Sequence, residues 1–363
     1  MKIVFFGFDG SFDYYQIGGM DSIMRRLALS MREAGDEVSF VHYGAKEDKT
    51  VKINENFYLR YFRNIRTACE YLVESDAEHI VSVYISPKDR YFYARFRTLR
   101  EEKSRFHHIY SVWSESPLKR KLLFSEAKIF PYNGSLFCLS PRIYRYVSKW
   151  AHNAELIFPP VPDSYFCDIA DKSIAETLHI TYVGRIDPRK GAPDAAKLFK
   201  KLSKIRGIET GIYGYAWEHS SAALRLQEDL LSDGDINYEQ ADYRDWSLEE
   251  ESKLIKVLKN TDVLLLPYRR LSSSVDTPLL LLEGMAGLCS IITPALGDLH
   301  DTYGSSYFNM PGGWSSKEAI MRIKSAKEHV QQDRKRLVDQ NAHLKFSTEN
   351  VTRKFRECLV GRS

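Results

Sequence analysis

The sequence has few cysteines, no long apolar run and no internal repeat. Its five cysteines, Cys69, Cys138, Cys167, Cys289 and Cys358, lie far apart and include no CxxC pair. This spacing argues against a disulfide framework and against a zinc site, and it is typical of the reducing cytoplasm. No apolar stretch approaches the roughly 18 residues that a membrane-spanning helix requires.

The first residues also lack the features of a secretory signal. MKIVFFGFDG has neither a long apolar region nor a small-residue cleavage site, and it predicts a first buried strand instead. We therefore expect a cytoplasmic protein. At 363 residues the chain is longer than one hydrophobic core usually grows, so two domains are expected. Apolar residues make up 44% and charged residues 28%, ordinary values for a globular protein.

Short apolar runs alternate with helical patterns, which is typical of parallel α/β layers. The pattern predicts a Rossmann-like domain over 1–160, a proline-rich linker at 157–166, and a second doubly wound domain over 161–345. Residues 346–363 are predicted as a C-terminal helix. The predicted strands are 2–7, 37–43, 79–85, 107–113 and 135–140 in the first domain, and 178–184, 209–214, 262–267 and 289–294 in the second.

The loop after the predicted strand 178–184 carries two cations at short spacing. Gly184 allows a tight turn, and Arg185 and Lys190 follow around an Asp-Pro pair. In doubly wound sheets, ligands bind beyond the carboxyl ends of the strands, and an arginine fork with a lysine charge suits a diphosphate. Ordinary surface cations beside a turn are the alternative.

A second loop passes abruptly from serine-rich sequence into an apolar helix. The stretch 268–287 predicts a helix whose first turn holds Thr277 and Pro278, since proline is compatible with a helix start. Glu283 lies within the apolar run, where a carboxylate is costly unless a specific partner offsets its desolvation. A ribose diol would be such a partner, and an ion pair with a neighbouring residue is the alternative.

The net charge of +4 is unevenly placed. The stretch 88–128 contains eleven Lys or Arg and five Asp or Glu, interleaved with aromatic residues. Basic and aromatic side chains together suit an anionic membrane surface, a phosphate-bearing lipid or nucleic acid. Alternatively, the cations form a solvated helix face and the aromatic side chains belong to the core.

These motifs, taken in order, resemble glycosyltransferase family 4, retaining enzymes of the GT-B fold. That family has a G-R-x-x-x-x-K-G loop, a proline-ended strand, an L-L-E-A-M-A helix and a Gly-Gly-x-x-Glu turn, which GRIDPRKG, DVLLLP, LLEGMA and GDLHD resemble here. The likeness covers nearly the whole chain. The matching residues are Gly184, Arg185, Lys190, Gly191, Pro267, Glu283, Met285, Ala286 and Gly297, with Gly18 and Gly19 resembling the family's first glycine loop.

The resemblance implies two Rossmann-like domains facing across a cleft, with the final helix returning to the N-terminal domain. The N-terminal domain would bind the acceptor and the C-terminal domain the nucleotide-sugar donor. Arg185 and Lys190 would be catalytic, holding the donor diphosphate as it leaves, and Glu283 would bind the ribose. The other donor-binding residues it implies are Gly18, Gly19, Gly184, Asp276, Thr277, Pro278 and Leu279.

The sequence departs from the family at three positions. A glutamate expected to contact the donor sugar is replaced by Val275, with Asp276 adjacent. A histidine expected near the reacting centre is absent from SVWSESP, where Trp113, Ser114 and Glu115 are the possible acceptor or sugar contacts. The Gly-Gly-x-x-Glu turn keeps one glycine and has Asp301 in place of its glutamate.

The resemblance therefore implies transfer of a sugar, with retention at the anomeric carbon, to a glycan, lipid-linked or small-molecule acceptor. Polysaccharide or glycoconjugate synthesis is the expected setting, with no metal, no other cofactor and no nucleic-acid partner. Peripheral contact with an anionic membrane through 88–128 is expected at its inner face. A catalytically impaired nucleotide-sugar-binding homologue and a nucleotide-sugar epimerase remain alternatives. A dehydrogenase is disfavoured because the first loop lacks a compact G-x-G-x-x-G.

Overall fold

The computed structural model describes residues 1–86, 88–129, 132–172, 176–216, 220–234, 236–242, 246–271 and 275–361, without the side chains of 126–129. The chain forms two compact units. One comprises Met1–Pro160 together with Phe346–Ser363, and the other comprises Val161–Lys345. Within the described residues no helix has the length and apolarity needed to cross a membrane.

The first unit begins with alternating strands and helices. The apolar run of the first strand is almost entirely buried, as expected for a parallel strand covered on both faces. Up to residue 160 the elements are β1 (Lys2–Phe8), α1 (Gly19–Glu33), β2 (Glu37–Tyr43), β3 (Lys49–Asn54), β4 (Phe57–Phe62), α2 (Ile65–Glu74), β5 (His79–Ser82), α3 (Arg90–Arg100), β6 (Arg105–Tyr110), α4 (Pro117–Ile129), β7 (Leu136–Cys138), α5 (Pro141–Val147) and β8 (Ala154–Leu156).

The strands of this unit form one sheet in the order β3-β4-β2-β1-β5-β6-β7-β8. All pairs are parallel except β3 with β4. The strand order reverses between β1 and β5, which makes the carboxyl edge there the expected place for a ligand. The sequence pattern did not predict β3 and β4, although β4 alternates buried and half-buried residues.

The second unit opens with two short 3-10 turns, Asp163–Tyr165 and Ile169–Asp171, and has a third at Pro188–Lys190. Its other elements are β9 (Leu178–Arg185), α6 (Ala192–Leu202), β10 (Ile208–Tyr215), α7 (Ser221–Ser232), β11 (Asn237–Gln240), α8 (Leu248–Asn260), β12 (Val263–Leu265), α9 (Leu279–Ala286), β13 (Ser290–Pro294), α10 (Leu299–Tyr303), β14 (Asn309–Met310), α11 (Ser316–Lys324) and α12 (Ala326–Leu344).

The second sheet is parallel throughout its described pairs, in the order β11-β10-β9-β12-β13-β14. Its core is built from β9, β12, α6 and the apolar faces of the later helices. The strand order reverses between β9 and β12. The loops that follow these two strands are therefore neighbours at the carboxyl edge, where ligands of open α/β sheets bind.

The last helix, α13 (Thr348–Val360), belongs to the first unit. Helix α12 ends before Lys345, which has a left-handed backbone, and the chain then enters α13 with Ser347 as its N-cap. The ring of Phe355 stacks on Phe137 at 4.1 Å between centroids. The guanidinium of Arg356 pairs with the buried Asp36 at 2.8 Å. The C-terminal segment thereby completes the core of the N-terminal unit.

Candidate functional site

The first loop of the candidate site follows β9. Gly184 has a φ of +122°, a backbone conformation that side-chain-bearing residues rarely adopt. Its carbonyl oxygen would lie 2.3 Å from a Cβ at Gly214, so the neighbouring strand also requires glycine at this point. The close approach of β9 and β10 therefore determines how the chain leaves the sheet at Arg185.

Arg185 is held by the carboxylate of Asp187, 3.2 Å from its Nη2 atom. Asp187 also accepts hydrogen bonds from the backbone N–H and the guanidinium of Arg189. Burial opposes ionisation of Asp187, but the Arg189 hydrogen bonds and the charges of both arginines lower its pKa. The ionised carboxylate thus orients Arg185 beside the strand end.

Lys190 lies at the end of the same loop, where its ammonium nitrogen is 4.7 Å from the centroid of the Tyr268 ring. Burial, and then the positive charge of Arg185, lowers the pKa of Lys190 to about 7. Because both effects penalise the charged form, an anion bound here would restore the charge of the lysine.

The loop after β12 contacts the loop after β9 directly. The guanidinium of Arg269 pairs with Asp194 through two contacts of 2.9 Å, and the Arg269 backbone N–H donates to the carbonyl of Arg189 at 3.3 Å. Gly191 has a φ of +79°, and a Cβ there would lie 2.0 Å from the carbonyl oxygen of Pro267. Only glycine permits this approach, so the loops after β9 and β12 are packed directly against each other.

Helix α9 supplies the remaining donor-site candidates. It begins at Leu279 with Pro278 as its N-cap. The prediction that Thr277 and Pro278 form the first turn is therefore wrong, because Pro278 has an extended ψ of 131°. Asp276 and Thr277 are buried. The Thr277 hydroxyl has no hydrogen-bond partner among the described residues, whereas 272–274 of the serine-rich loop lie outside them.

Glu283 is buried in α9, close enough to Tyr268 for its negative charge to act on the Tyr268 hydroxyl. Burial of Tyr268 and the negative charge of Glu283 raise the pKa of the Tyr268 hydroxyl, while Arg185 opposes this rise. Arg185, Lys190 and Glu283 are thus all neighbours of one tyrosine. Sequence reasoning missed Tyr268 and Asp187, although both lie inside the two loops it selected.

The paired glycines of the first unit stand at the start of α1, where Gly18 is the N-cap and Gly19 the first helical residue. A Cβ at Gly18 would lie 2.0 Å from a carboxylate oxygen of Asp21. The other Asp21 oxygen accepts a hydrogen bond of 2.7 Å from the backbone N–H of Asp13. Glycine at position 18 therefore leaves the space that the Asp21 carboxylate occupies.

Trp113, Ser114 and Glu115 lie in the loop after β6, since that strand ends at Tyr110 and not at the predicted residue 113. The guanidinium of Arg120 lies 4.7 Å from the Trp113 ring centroid, and its Nη1 atom donates to the Ser114 carbonyl at 3.1 Å. A second guanidinium, from Arg142, lies 4.8 Å from the same ring and pairs with Glu115 at 2.9 Å.

The basic stretch 88–128 contains both buried and exposed side chains. Tyr93, Phe96, Arg97 and Arg100 of α3 are buried, and Arg100 donates to two backbone carbonyls of the first unit. Arg97 and Arg100 are therefore not the surface cations that the composition suggested. The exposed large apolar residues of the stretch are Tyr91, Phe92, Leu99, Leu118 and Leu122.

A metal site would need several carboxylate, histidine or cysteine side chains close together. Within the described ranges, no cluster of three or more such side chains has a metal-site arrangement.

Comparison with known proteins identifies the fold. No family model and no curated protein matches the chain. Among solved structures, Anabaena HepE in complex with UDP-glucose is 11% identical, with a TM-score of 0.69 and 99% of each chain covered. A glycosyltransferase from Rickettsia africae ESF-5 is 13% identical with a TM-score of 0.65, covering 100% of this chain and 99% of that one.

A third similar structure is a mutant of S. aureus TarM in complex with fondaparinux, α-GlcNAc-glycerol and UDP. It is 10% identical, with a TM-score of 0.67, and the alignment covers 99% of this chain and 100% of TarM. The predicted fold class is confirmed: the chain has two Rossmann-like domains of the GT-B fold.

Proposed function

We propose that this protein is a glycosyltransferase that moves a sugar from a nucleoside-diphosphate-sugar to a glycan, lipid-linked or small-molecule acceptor. The reaction is metal-independent and retains the configuration of the anomeric carbon, as in glycosyltransferase family 4. Its setting is the synthesis of cell-surface polysaccharide or another glycoconjugate. HepE and TarM, which have the same fold, bind UDP-glucose and UDP respectively, and this supports a nucleotide-sugar donor.

One observation carries the proposal: Arg185 and Lys190 are held at the carboxyl edge of the second sheet beside the loop that leads into α9. Asp187 orients the arginine, and Tyr268 lies against the lysine. The N-terminus of α9 adds partial positive charge from its backbone amides. Two cations and a helix start that follow neighbouring strands are a suitable site for a diphosphate.

The chemistry needs this charge when the bond between the anomeric carbon and the diphosphate oxygen breaks. Negative charge then grows on the departing diphosphate, and preorganised cations lower the energy of that transition state. Because the pKa of Lys190 is about 7 without a ligand, its protonation and the binding of the diphosphate favour each other.

The buried end of the site suits the nucleoside. Glu283 is a carboxylate in an apolar helix, and a ribose diol would donate two hydrogen bonds to it. Thr277 has a buried hydroxyl with no partner in the described part of the protein, so it can accept or donate to a ligand. We assign Glu283 to the ribose and the 276–279 segment to the phosphates.

Calorimetry with UDP, GDP, ADP and their common sugar conjugates, in EDTA, tests the donor site. We expect one nucleotide to bind wild-type protein and to lose at least about tenfold in affinity in Arg185→Ala/Lys190→Ala, since each charge-assisted contact is worth about 1.5–3 kcal/mol. Lys197→Ala, which removes an exposed cation from α6, is the matched control. Equal binding by both variants, or binding that requires a divalent metal, would contradict the proposal.

Catalysis needs a separate test, because Val275 is buried where the family has a sugar-contacting glutamate. This substitution favours one alternative, a homologue that binds nucleotide sugar without transferring it. Incubation with the identified donor and candidate acceptors, followed by NMR of the anomeric proton, separates the two. A product with the donor's anomeric configuration supports the retaining transferase, and nucleotide binding without turnover supports the alternative.

We also assign the exposed face of α3 and α4 to the inner surface of an anionic membrane. Phe92, Arg95 and Leu99 follow the helical period on the exposed side of α3. The Arg90 guanidinium donates to the Leu122 carbonyl at 2.8 Å, which places the start of α3 beside exposed residues of α4. Apolar and basic side chains on one face are what an anionic lipid surface attracts.

Sedimentation with phosphatidylglycerol vesicles tests this surface. Phe92→Ser/Leu99→Ser and Arg95→Glu/Lys119→Glu should each reduce the bound fraction severalfold, since each basic residue contributes about 1 kcal/mol near such a surface. Lys201→Glu on α6 is the charge-reversal control. Equal sedimentation of wild type and both variants, or equal binding to neutral phosphatidylcholine, would contradict the assignment.

A further inference from the structure

The loop after β6 contains a group of hydrogen-bond donors around Trp113. Strands β6 and β7 are parallel neighbours, so the segments that follow them lie together at the carboxyl edge of the first sheet. One segment brings Trp113 and leads into α4 with Arg120, and the other leads into α5 with Arg142. Both guanidinium groups contact the same half-buried indole.

Trp113 contributes a donor that the protein does not use. Its indole Nε1 is buried and has no hydrogen-bond acceptor in the described part of the chain. An indole N–H can only donate, and leaving it unpaired away from water costs free energy. An oxygen-rich ligand would remove that cost.

Arg120 is a second donor with spare capacity. Its guanidinium contacts the Ser114 carbonyl and two aromatic rings, those of Trp113 and Tyr146, but no carboxylate of the described residues. Five N–H donors in a planar fork can satisfy a carbonyl and still bind an oxyanion.

Arg142 pairs with Glu115, a carboxylate that is exposed to water. Its contact with Glu115 is 2.9 Å long, but the Glu115 side chain is 81% exposed. The Arg142 side chain is 14% exposed, so only the carboxylate side of this pair is open to water. Water weakens the hold of an exposed carboxylate, and another anion can compete with it for the guanidinium. Holding two guanidinium groups on one ring also concentrates like charge, which an anion would offset.

We infer that Trp113, Arg120 and Arg142 form a phosphate-binding site, distinct from Arg185 and Lys190 at the end of β9. If the protein is the glycosyltransferase proposed above, on which this step rests, the site selects an acceptor that carries a phosphate group. Three acceptor oxygens match the indole N–H and two guanidinium forks. The phosphate belongs either to a free phosphorylated molecule or to a lipid, and the experiment distinguishes these sources.

The experiment measures tryptophan fluorescence and heat on titration with inorganic phosphate, dimethylallyl phosphate and dimethylallyl alcohol. It uses the full chain in the Arg185→Ala/Lys190→Ala background, which removes the two cations assigned to the donor diphosphate. We expect both phosphates to bind in this background and the alcohol not to bind. Arg120→Gln/Arg142→Gln should weaken phosphate binding at least about tenfold, because two charge-assisted hydrogen-bonding groups are lost.

Three further variants sharpen the result. Trp113→Phe keeps an aromatic ring but removes the N–H, and should weaken binding severalfold. Glu115→Gln removes the competing carboxylate from an exposed position, and should tighten binding about two- to fivefold, the effect of one exposed ion pair. Arg66→Gln, which removes an exposed arginine of α2, should change nothing.

The relative affinities of the two phosphates identify the source of the phosphate group. Tighter binding of dimethylallyl phosphate than of inorganic phosphate would indicate a lipid source, and equal affinities a free phosphorylated acceptor. The inference is overturned if phosphate does not bind, if the alcohol binds equally well, or if Arg120→Gln/Arg142→Gln and Glu115→Gln leave binding unchanged. Nucleotide titration of the wild type reports separately on the donor site, so either proposal can fail alone.

Discussion

The loops that follow β1 and β9 occupy equivalent places in their two sheets, and they carry opposite charge. Each follows the first strand of its sheet, ends in a glycine and leads into a helix whose third residue is an aspartate, Asp21 or Asp194. The loop after β1 contains Asp9 and Asp13, whereas the loop after β9 contains Arg189 and Lys190 against one carboxylate, Asp187.

The aspartates at the helix starts have different partners. Asp21 accepts from the backbone N–H of Asp13 in its own loop, and burial raises its pKa to about 6. Asp194 pairs with Arg269 from another loop of the same sheet. The doubly wound topology therefore places each loop at the carboxyl edge of its sheet, but the residues of the loop determine the charge of the ligand that the loop attracts. Of these two loops, the loop after β9 has the positive charge that the proposed diphosphate site requires.

Removing the cations of the loop after β9 should have the largest effect. We expect Arg185→Ala or Lys190→Ala to lower kcat about 100- to 1,000-fold, the usual loss when one electrostatic donor to a transition state is removed. Steady-state kinetics with the identified donor measures this. Asp13→Asn in the other loop should change kcat far less. Similar losses from both loops would show that the charge difference is not functional.

The glycines that end the two loops should differ in how much they tolerate alanine. At Gly191 a Cβ would meet a backbone carbonyl and φ is +79°, whereas at Gly18 it would meet a side-chain carboxylate that can rotate. We expect Gly191→Ala to cost about 2–4 kcal/mol of stability and Gly18→Ala about 1 kcal/mol. Urea unfolding gives both values, and Gly312→Ala, where a Cβ meets nothing within 4 Å, is the control. Equal costs would contradict the geometry.

Binding of a nucleotide sugar should depend on pH through Lys190. The pKa of Lys190 is about 7 in the free protein, and a bound diphosphate raises it. Affinity is therefore full below pH 7 and falls as pH rises, by about tenfold from pH 6 to pH 8. Calorimetry across this range measures the slope. Lys190→Arg stays charged and should show a flat profile; a slope shared by both proteins would assign the titration elsewhere.

The acidic loop should show a smaller effect, on stability. The folded pKa of Asp21, about 6, exceeds the ordinary value of 3.8, so the native state holds this proton more tightly than the unfolded chain. Stability is then lost as pH rises from about 4 through 6. Asp21→Asn should remove that loss and be about 1 kcal/mol more stable than wild type at pH 7.5. Urea unfolding at pH 4 and 7.5 measures it, and an equal difference at both pH values would argue against titration of Asp21.

Local patterns revealed much of this architecture. The apolar runs of β1, β2, β9 and β13 predicted buried parallel strands because such strands are apolar on both faces. The pattern missed β3 because an edge strand with exposed residues has no apolar signal. For α3 the signal was present: Tyr93, Phe96, Arg97 and Arg100 recur at helical spacing, which indicates that these arginines share the buried face.

The sequence by itself determined the doubly wound class and the residue types of the two candidate donor loops, because both depend on local order and spacing. Only the tertiary structure decided that Tyr268 lies over Lys190, that Asp187 orients Arg185, and that two arginines contact Trp113. Tyr268 reaches Lys190 because β9 pairs with β12, and both arginines reach Trp113 because β6 pairs with β7. The contact between Asp187 and Arg185 depends instead on the direction of two side chains within one turn. Strand order is set by packing of the whole sheet, which no local pattern encodes.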